Sequence, residues 1–136
     1  MVVVDTNILT DHLRADNSTL YKQGNSHLQN FFKFYNTKNN QIAISQVTIQ
    51  GLYAGRSMND EKIELKVLNL LQCFTILPYK YEISVLAGKI MQSNTITFTD
   101  SVIASTCLFY NASLITLNSK HFKDIDGLVL LDPKKV

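Results

Sequence analysis

The sequence is poor in cysteine and histidine, the residues on which several common kinds of site depend. Its 136 residues include two cysteines and three histidines. Cys73 and Cys107 each fall within a predicted helix with no secretory signal, so we expect reduced, buried thiols in a cytoplasmic protein. His12, His27 and His121 lack the spacing of zinc ligands, and we expect them at the surface or at helix ends.

Long apolar segments and strong net charge are also missing. No apolar run approaches the roughly 20 residues that span a bilayer. The N-terminus has no basic region, and Asp5 interrupts any apolar segment that could act as a signal peptide. The net charge of +2 permits a polyanionic partner without requiring one. Since 46% of the residues are hydrophobic, we expect one domain over residues 1–136 with a sizeable core.

Short apolar runs alternate with helical segments along the whole chain. Val2-Val3-Val4 is typical of a central strand that is buried on both faces. We predict strands near residues 2–5, 42–44, 74–77 and 114–117, and a marginal fifth strand near 129–131. The alternation predicts an α/β fold with a central, mostly parallel sheet of four to five short strands flanked by helices.

Periodic apolar residues and turn signals predict the helices. They cover about 8–13, 27–35, 45–55, 61–72 and 80–92, and a sixth begins at Asp100. Gly55 is the expected C-cap of the third helix. Ser57 to Asp60 has the pattern of a capping box ahead of the fourth. Polar loops or turns are expected at 15–25 and 36–40.

Three polar side chains stand where a parallel sheet would bring them together. Asp5 follows the first strand, Asn118 follows the fourth, and Asp100 begins a helix. The carboxyl ends of parallel strands lie on one edge, where ligands bind. Capping of the first helix is the alternative role for Asp5. Converging carboxylates repel unless a cation lies between them, and oxygen ligands suit Mg²⁺ or Mn²⁺, which would favour metal-assisted phosphodiester hydrolysis.

Other chemistries have less support in the sequence. No glycine-rich phosphate-binding loop is present, and Asp5-Thr6-Asn7 lacks the second aspartate of a phosphoaspartyl hydrolase. Neither cysteine has an activating partner nearby in the sequence.

Four segments resemble the motifs of the PIN-domain family, especially the VapC-type toxins of bacterial toxin–antitoxin pairs. They run in order along the chain and cover Val2–Leu9, Ser45–Arg56, Phe98–Ala104 and Leu114–Phe122. The resemblance implies a PIN fold and an Mg²⁺-dependent endoribonuclease that hydrolyses RNA. It also implies a homodimer and a cognate antitoxin protein that blocks the site.

The same resemblance implies a set of site residues. The metal-binding acids are Asp5 and Asp100, the catalytic positions also include Asn118 and Gly51, and the supporting residues are Thr6, Asn7 and Thr99.

Gly51 departs from the family pattern, which normally has Glu at this position. A glycine inside a helix costs roughly 1 kcal/mol relative to alanine. Gln50 cannot replace the missing acid, because adjacent helix positions point about 100° apart. Other acids could substitute for it, although each is also typical of a solvated helix or turn. They are Asp11, Glu61 and Asp124.

Three interpretations of function remain open from the sequence. The first is an RNA-cleaving toxin whose site is impaired at Gly51, by engineering or by loss-of-function selection. The second is an inactive PIN scaffold that binds an antitoxin-like protein or nucleic acid, and the third is a DNA-directed nuclease of the same fold. A surplus of aromatic residues on the middle helices predicts a contact surface for a second copy or a partner. They include Phe31, Phe34, Tyr35 and Tyr53.

Overall fold

The computed structural model describes residues 1–15, 28, 31–32 and 41–135. Ala15 ends the first helix, and the rest of the predicted loop at 15–25 lies outside the described residues. So do the predicted turn at 36–40, most of the predicted helix at 27–35, and His27. Leu28, Phe31 and Phe32 are described and are helical, as their spacing predicts.

One sheet of parallel strands forms the centre of the fold. Its order is β3-β2-β1-β4-β5, and every neighbouring pair is parallel. The strands are β1 (Val2–Val4), β2 (Ile42–Ser45), β3 (Thr75–Leu77), β4 (Ser113–Ile115) and β5 (Leu130–Leu131). The predicted α/β class and all five predicted strands are confirmed, with ends displaced by one or two residues.

The order of the strands creates a switch point beside β1. The chain adds β2 and β3 on one side of β1, and then β4 and β5 on the other. In open α/β sheets, ligands bind outside the carboxyl ends of the strands at such a point. The residues that follow β1 and β4 therefore lie where this class of fold places its sites.

Helices cover both faces of the sheet. In the described part of the chain the longer ones are α1 (Thr6–Ala15), α2 (Gln46–Tyr53), α3 (Glu61–Leu71), α4 (Tyr81–Ser93) and α5 (Phe98–Phe109). Short 3-10 segments lie at Arg56–Asn59, Ser119–His121 and Pro133–Lys135. None of the helices in the described part of the chain has both the length and the apolar character needed to cross a membrane.

Alternation along β1 divides the core into two layers, because successive strand residues point to opposite faces. Val2 and Val4 pack with α1 and α3 residues on one face. Val3 packs with α4 and α5 residues on the other. All three valines are buried, so the prediction of a strand buried on both faces is confirmed.

Two predicted helix caps are wrong, both near the turn between α2 and α3, although α3 begins at Glu61 as predicted. The C-cap of α2 is Ala54, and Gly55 has φ −70° and ψ 137°, which is extended backbone. The chain continues from Gly55 into a 3-10 segment, so no left-handed glycine is needed there. Asp60 is the N-cap of α3, and its side chain accepts a hydrogen bond from the N–H of Lys62 at 2.9 Å. Ser57 lies within the 3-10 segment instead.

Helix α5 begins before Asp100 and is buried on more sides than the sequence predicts. Its N-cap is Thr97, whose Oγ1 accepts the N–H of Asp100 at 3.2 Å. The segment from Ser101 to Cys107 is buried without interruption, because α5 packs against α4, α2 and the sheet. Its hydroxyl groups donate to backbone carbonyls one turn earlier, as Ser105 does to Ser101 at 2.7 Å. Local bonds of this kind allow polar residues in the core.

The cysteines and aromatic residues divide between core and surface differently from the prediction. Cys107 is buried, but Cys73 is exposed in the turn after α3. Phe31 is a core residue with 1% exposure, so its assignment to a contact surface is wrong. Tyr53 is exposed, and its hydroxyl donates to Glu64 at 3.0 Å. Phe34 and Tyr35 lie outside the described residues.

Candidate active site

Asp5 is a buried carboxylate at the carboxyl end of β1, with 4% of its surface exposed. Its Oδ1 accepts the backbone N–H of Thr6 at 2.8 Å, and its Oδ2 accepts the hydroxyl of Thr116 at 2.7 Å. Thr6 begins α1, so the predicted helix-end role accounts for one carboxylate oxygen. The other oxygen is bound by the segment that follows β4.

Burial raises the pKa of Asp5 above its ordinary value of 3.8. The hydrogen bond from Thr116 opposes this shift, and the negative charge of Asp100 adds to it. The bond from Thr6 and the His121 side chain have smaller, lowering effects. Because the charge of Asp100 acts on Asp5, the two carboxylates share one electrostatic environment, as the sequence predicts.

Asp100 lies in the first turn of α5 with 18% of its side chain exposed to solvent, and Thr99 comes just before it. The Nδ1 atom of His121 is 3.2 Å from its Oδ2. The spacing of the three histidines, which excludes a zinc site, does not predict this contact of His121 with Asp100. The signal that could have predicted this contact is the position of His121, three residues after Asn118. The 3-10 segment after β4 turns the chain back toward α5 and so brings His121 to Asp100.

Thr116 joins the residues around Asp5 and is 2% exposed. Besides its bond to Asp5, its Oγ1 accepts the N–H of Asn118 at 3.0 Å and the Nδ2 of Asn7 at 3.4 Å. The sequence pattern places Thr116 inside a longer fourth strand and does not predict it as a site residue. Since β4 ends at Ile115, Thr116 is the first residue beyond the strand, in the position where a polar side chain can reach Asp5.

Asn7 and Asn118 belong to the same hydrogen-bonded group. The Oδ1 of Asn7 accepts the N–H of Leu117 at 3.4 Å, which links α1 to the segment after β4. Asn118 is the N-cap of the 3-10 segment Ser119–His121 and is exposed. The structure therefore gathers Asn7 and Asn118 around Thr116, beside Asp5.

Gly51 lies on α2 and faces the start of α1. A Cβ atom built on Gly51 would be 3.6 Å from Cγ2 of Thr6, an ordinary van der Waals distance. Thr6 also donates from its hydroxyl to Thr48, one turn before Gly51, at 3.0 Å. A larger side chain at position 51 would therefore begin next to the residue that binds Asp5, without a backbone clash.

The other acids suggested as replacements lie on different elements. Asp11 is partly buried on α1, Glu61 is exposed at the start of α3, and Asp124 is exposed after the last site segment. The charged groups that shift the pKa of Asp5 are Asp100 and His121. None of the three suggested acids is among them.

Asp5 and Asp100 offer oxygen ligands to a divalent cation. Within the described residues, no cluster of three or more His, Cys, Asp or Glu side chains is arranged to hold a metal. Mg²⁺ commonly uses only one or two protein carboxylates and keeps several waters. Two carboxylates that repel each other at a strand end therefore fit such an ion, with one protein ligand fewer than a three-acid site.

Surface cavities lie beside Asp100 and beside Gly51. One, of about 360 Å³, lies beside Asp100. Its lining is Thr95, Ile96, Thr97, Asp100, Lys120 and His121. The other, of about 320 Å³, extends from Gly51 between α1, α2 and α3 and has Arg14 and Lys66 on its lining. The centre is therefore open to ligands both at Asp100 and at Gly51.

Sequence comparison identifies the relatives of this chain. The profile of the PIN domain matches residues 2–128. Over 101 residues the chain is 35% identical to Ribonuclease VapC1 of Rickettsia felis, a match that spans 67% of this chain and 75% of that protein.

Solved structures agree on the fold. VapBC2 from Rickettsia felis, bound to a DNA fragment from its promoter, has a TM-score of 0.77 at 26% identity, covering 97% of this chain and 98% of that one. DNA-bound VapBC from Salmonella typhimurium has a TM-score of 0.78 at 20% identity, with 97% of each chain covered. VapBC-1 from nontypeable Haemophilus influenzae has a TM-score of 0.74 at 23% identity, covering 98% and 99%. The last two support the fold alone.

Proposed function

This chain belongs to the PIN domain family, in its VapC-type group, and we propose that it is the endoribonuclease toxin of a toxin–antitoxin pair. The observation that carries the proposal is a buried carboxylate, Asp5, at the switch point of the sheet, near enough to Asp100 for the charge of Asp100 to raise its pKa. A carboxylate with 4% exposure beside a second acid is costly unless a cation compensates it. Metal-assisted hydrolysis of a phosphodiester bond makes use of such a pair.

The proposed cofactor is Mg²⁺, or Mn²⁺, which has similar ligand preferences. Asp5 and Asp100 would hold the ion through their carboxylate oxygens. When bound, the ion supplies an activated water and neutralises charge that develops on the phosphate. The donors from Thr6 and Thr116 keep the Asp5 carboxylate oriented, and Asn118 lies at the rim of the same group.

We also propose that Gly51 impairs this activity. The family resemblance assigns an acidic side chain to position 51, and α2 carries none there. The two remaining acids surround the ion with less negative charge, so affinity should fall and the attacking water should be poorly placed. A misplacement of about 1 Å can alone cost on the order of 100-fold in rate.

The proposed partners are a cognate antitoxin, RNA as substrate, and a second copy of the chain. Several of the solved structures that resemble this chain are of VapBC proteins, and two of them hold DNA as well. Several large apolar side chains remain exposed on the described surface, and exposed apolar surface can mark a protein interface. The most exposed are Tyr81, Phe98, Leu65 and Val129. They replace Phe31 as the reason to expect a homodimer.

Gly51 also favours a second candidate, the inactive PIN scaffold. If the acid at position 51 is indispensable, the chain binds its partner or nucleic acid without cleaving RNA. The two candidates predict different results for one set of variants.

The test is an RNA cleavage assay on purified protein. The native chain, Gly51→Glu and Gly51→Gln are incubated with total RNA and Mg²⁺, with and without EDTA. We expect Gly51→Glu to cleave at least about 100-fold faster than the native chain, to lose this activity in EDTA, and to be toxic in cells without antitoxin. Gly51→Gln keeps the shape without the charge and should stay as slow as the native chain.

Gly88→Glu is a matched control, because Gly88 is also an exposed glycine inside a helix and has no heavy atom within 4 Å of a built Cβ. It should leave the rate unchanged. Equal activity of the native chain and Gly51→Glu would show that another residue supplies the acid. Equal inactivity would favour the scaffold.

A further inference from the structure

The cavity beside Asp100 lies between two segments that meet at the acid centre. One is the extended stretch before α5, which contributes Thr95, Ile96 and Thr97, and the other is the 3-10 segment after β4. Its volume of about 360 Å³ is near the lower end of the roughly 300–1,000 Å³ usual for small-molecule sites. It therefore has room for a group of about the size of one nucleotide and is open to solvent, so that a longer ligand can continue beyond it.

The lining includes one apolar side chain, Ile96, and one lysine, Lys120. Ile96 is partly buried and packs against the core, so its exposed part is a fixed apolar surface. Thr97 accepts the N–H of Asp100, and this bond leaves its hydroxyl hydrogen directed to other acceptors. Lys120 is exposed at the mouth, where its flexible chain reaches the acceptors of a ligand.

Charge decides how a ligand would lie in this cavity. Asp100 lines the cavity and repels anions unless a cation is bound there. A phosphate held away from Asp100 would instead contact Lys120, whose exposed side chain is also on the lining. A flat, uncharged ring suits the space between them, since Ile96 offers it apolar contact and the threonine hydroxyls offer it hydrogen bonds. A nucleobase has this chemistry, and proteins bind the unstacked bases of single-stranded RNA through their faces and hydrogen-bonding edges. In this cavity Ile96 takes the place of the aromatic ring on which a base usually stacks.

We propose that this cavity binds one unpaired nucleotide of the substrate next to the scissile phosphate, with its base against Ile96 and its far phosphate at Lys120. This inference rests on the proposed function, because it assumes that Asp5 and Asp100 are where RNA is cut. It specifies the substrate as single-stranded at that nucleotide. It also makes Lys120 a residue that binds substrate at a point separate from the metal.

The first test measures what the cavity itself binds. Amide signals of the native chain are followed by NMR during titration with a nucleoside 5′-monophosphate, with ribose 5-phosphate and with inorganic phosphate. We expect the signals of Thr95, Ile96 and Lys120 to shift with the nucleotide and much less with the two probes that lack a base. Equal shifts with all three would mean that only phosphate binds, and would overturn the proposal.

The second test measures the contribution of Lys120 to RNA binding. Affinity for a labelled single-stranded RNA is measured against salt concentration for the native chain, Lys120→Gln and Lys62→Gln, and the RNA is checked for integrity on a gel. Lys62 is an exposed lysine on α3, which packs on the opposite face of the sheet. Loss of one phosphate contact should reduce the salt slope by about 0.7 and weaken binding by about five-fold at 0.1 M salt.

Lys62→Gln should leave both quantities unchanged, and melting temperatures should show that all three proteins fold equally well. The same salt slope for the two lysine variants would contradict the proposal. So would a loss of affinity for a protein partner at Lys120→Gln with RNA binding intact, which would assign the cavity to that partner.

Failure of this proposal and failure of the proposed function give different results. If Gly51→Glu cleaves RNA but Lys120→Gln in that background cleaves and binds it equally well, the nucleotide site is wrong and the nuclease assignment stands. If Gly51→Glu is inactive while Lys120→Gln lowers RNA affinity, the cavity binds nucleic acid and the chain is a scaffold.

Discussion

The candidate site has two sides, one between Thr6 and β4 and the other between Thr6 and α2, and they differ in how many polar contacts they contain. Toward β4, Asp5 is tied to Thr116, which also accepts bonds from Asn7 and Asn118. Toward α2, Thr6 meets the hydroxyl of Thr48 and the bare backbone of Gly51. The β4 side is a connected group of polar side chains. The α2 side has one hydroxyl contact, at Thr48, and no side chain at position 51.

This difference shows that the framework around Asp5 does not depend on an acid from α2. Buried polar groups are stabilising only when their hydrogen bonds are satisfied, and on the β4 side the partners come from β1, α1 and the segment after β4. Position 51 is exposed on a helix, so a side chain there can be absent without leaving a buried partner unpaired. Loss of the α2 acid should therefore affect chemistry far more than folding.

Removing the Asp5 charge should have the largest effect. In the Gly51→Glu background, Asp5→Asn should lower the rate of RNA cleavage by at least about 100-fold, because the metal loses its buried ligand. Cleavage assays at saturating Mg²⁺ measure this. Asp126→Asn, at an exposed acid after the site segments, is the control and should cleave normally. Retention of activity by Asp5→Asn would remove Asp5 from the site.

The same variant should change the pH dependence of stability. The pKa of Asp5 is raised in the folded state, so between about pH 3.8 and that higher pKa the folded chain binds more protons than the unfolded chain. Its contribution to the free energy of unfolding therefore falls as pH rises through this window and stays low above it. Urea titrations in EDTA should show that the free energy of unfolding of Asp5→Asn rises relative to that of the native chain over that pH range. A constant difference between the two would contradict the shift.

Breaking the β4 side at Thr116 should destabilise the fold. Thr116→Val removes the donor to Oδ2 of Asp5 and the acceptor for Asn118, so the free energy of unfolding should fall by about 1–3 kcal/mol. Chemical denaturation of native chain and variant gives this value. Thr116→Ser keeps the hydroxyl, so its free energy of unfolding should fall much less than that of Thr116→Val. A larger loss for Ser than for Val would mean that packing of the methyl group, and not the hydrogen bonds, holds this side.

Filling the α2 side with a methyl group should have a smaller and favourable effect. Gly51→Ala should stabilise the chain by up to about 1 kcal/mol, the usual helix-interior difference. Gly88→Ala, inside α4, should give a similar gain. Thermal melting of both variants is the measurement. A destabilised Gly51→Ala beside a stabilised Gly88→Ala would show that α1 and α2 are packed too closely at Thr6 for a side chain.

The reactivity of the cysteine thiols gives a further measure of the β4 side, with Cys107 as the buried probe and Cys73 as the exposed reference. Cys107 is buried, burial and the nearby Asp5 charge raise its pKa to about 12, and Cys73 is exposed. A thiol reagent at neutral pH should label Cys73 rapidly and Cys107 only when the fold opens. Thr116→Val should hasten labelling of Cys107, whereas Gly51→Ala should not, as mass spectrometry can follow. Equal labelling rates for both variants would erase the distinction between the two sides.

Strand positions and the central acid pair were predictable because their signals are local. Val2-Val3-Val4 is an apolar run that ends at a carboxylate, and such a run predicts a buried strand with a polar end whatever surrounds it. The effect of the Asp100 charge on Asp5 agrees with the expectation that a helix N-terminus lies beside the carboxyl ends of the parallel strands. Their roles in catalysis, like those of Asn118 and Gly51, stay predictions.

Helix ends and supporting contacts were less predictable because they depend on neighbours distant in sequence. Gly55 has the composition of a C-cap but adopts extended backbone, since the chain enters a 3-10 segment. Thr97 caps α5 from within a stretch that reads as a polar linker. Thr116 and His121 gained their partners only when β4 paired with β1 and the chain turned toward α5.

By itself, the sequence determined the parallel α/β layout, the buried first strand and the absence of an acid at position 51. These follow from side-chain chemistry and periodicity, which each segment carries with it. The tertiary structure alone decided that Thr116 binds Asp5, that His121 contacts Asp100, and that Gly51 faces Thr6. Each of these contacts joins segments far apart in the chain, and their distances are set by how the strands pair and the helices pack.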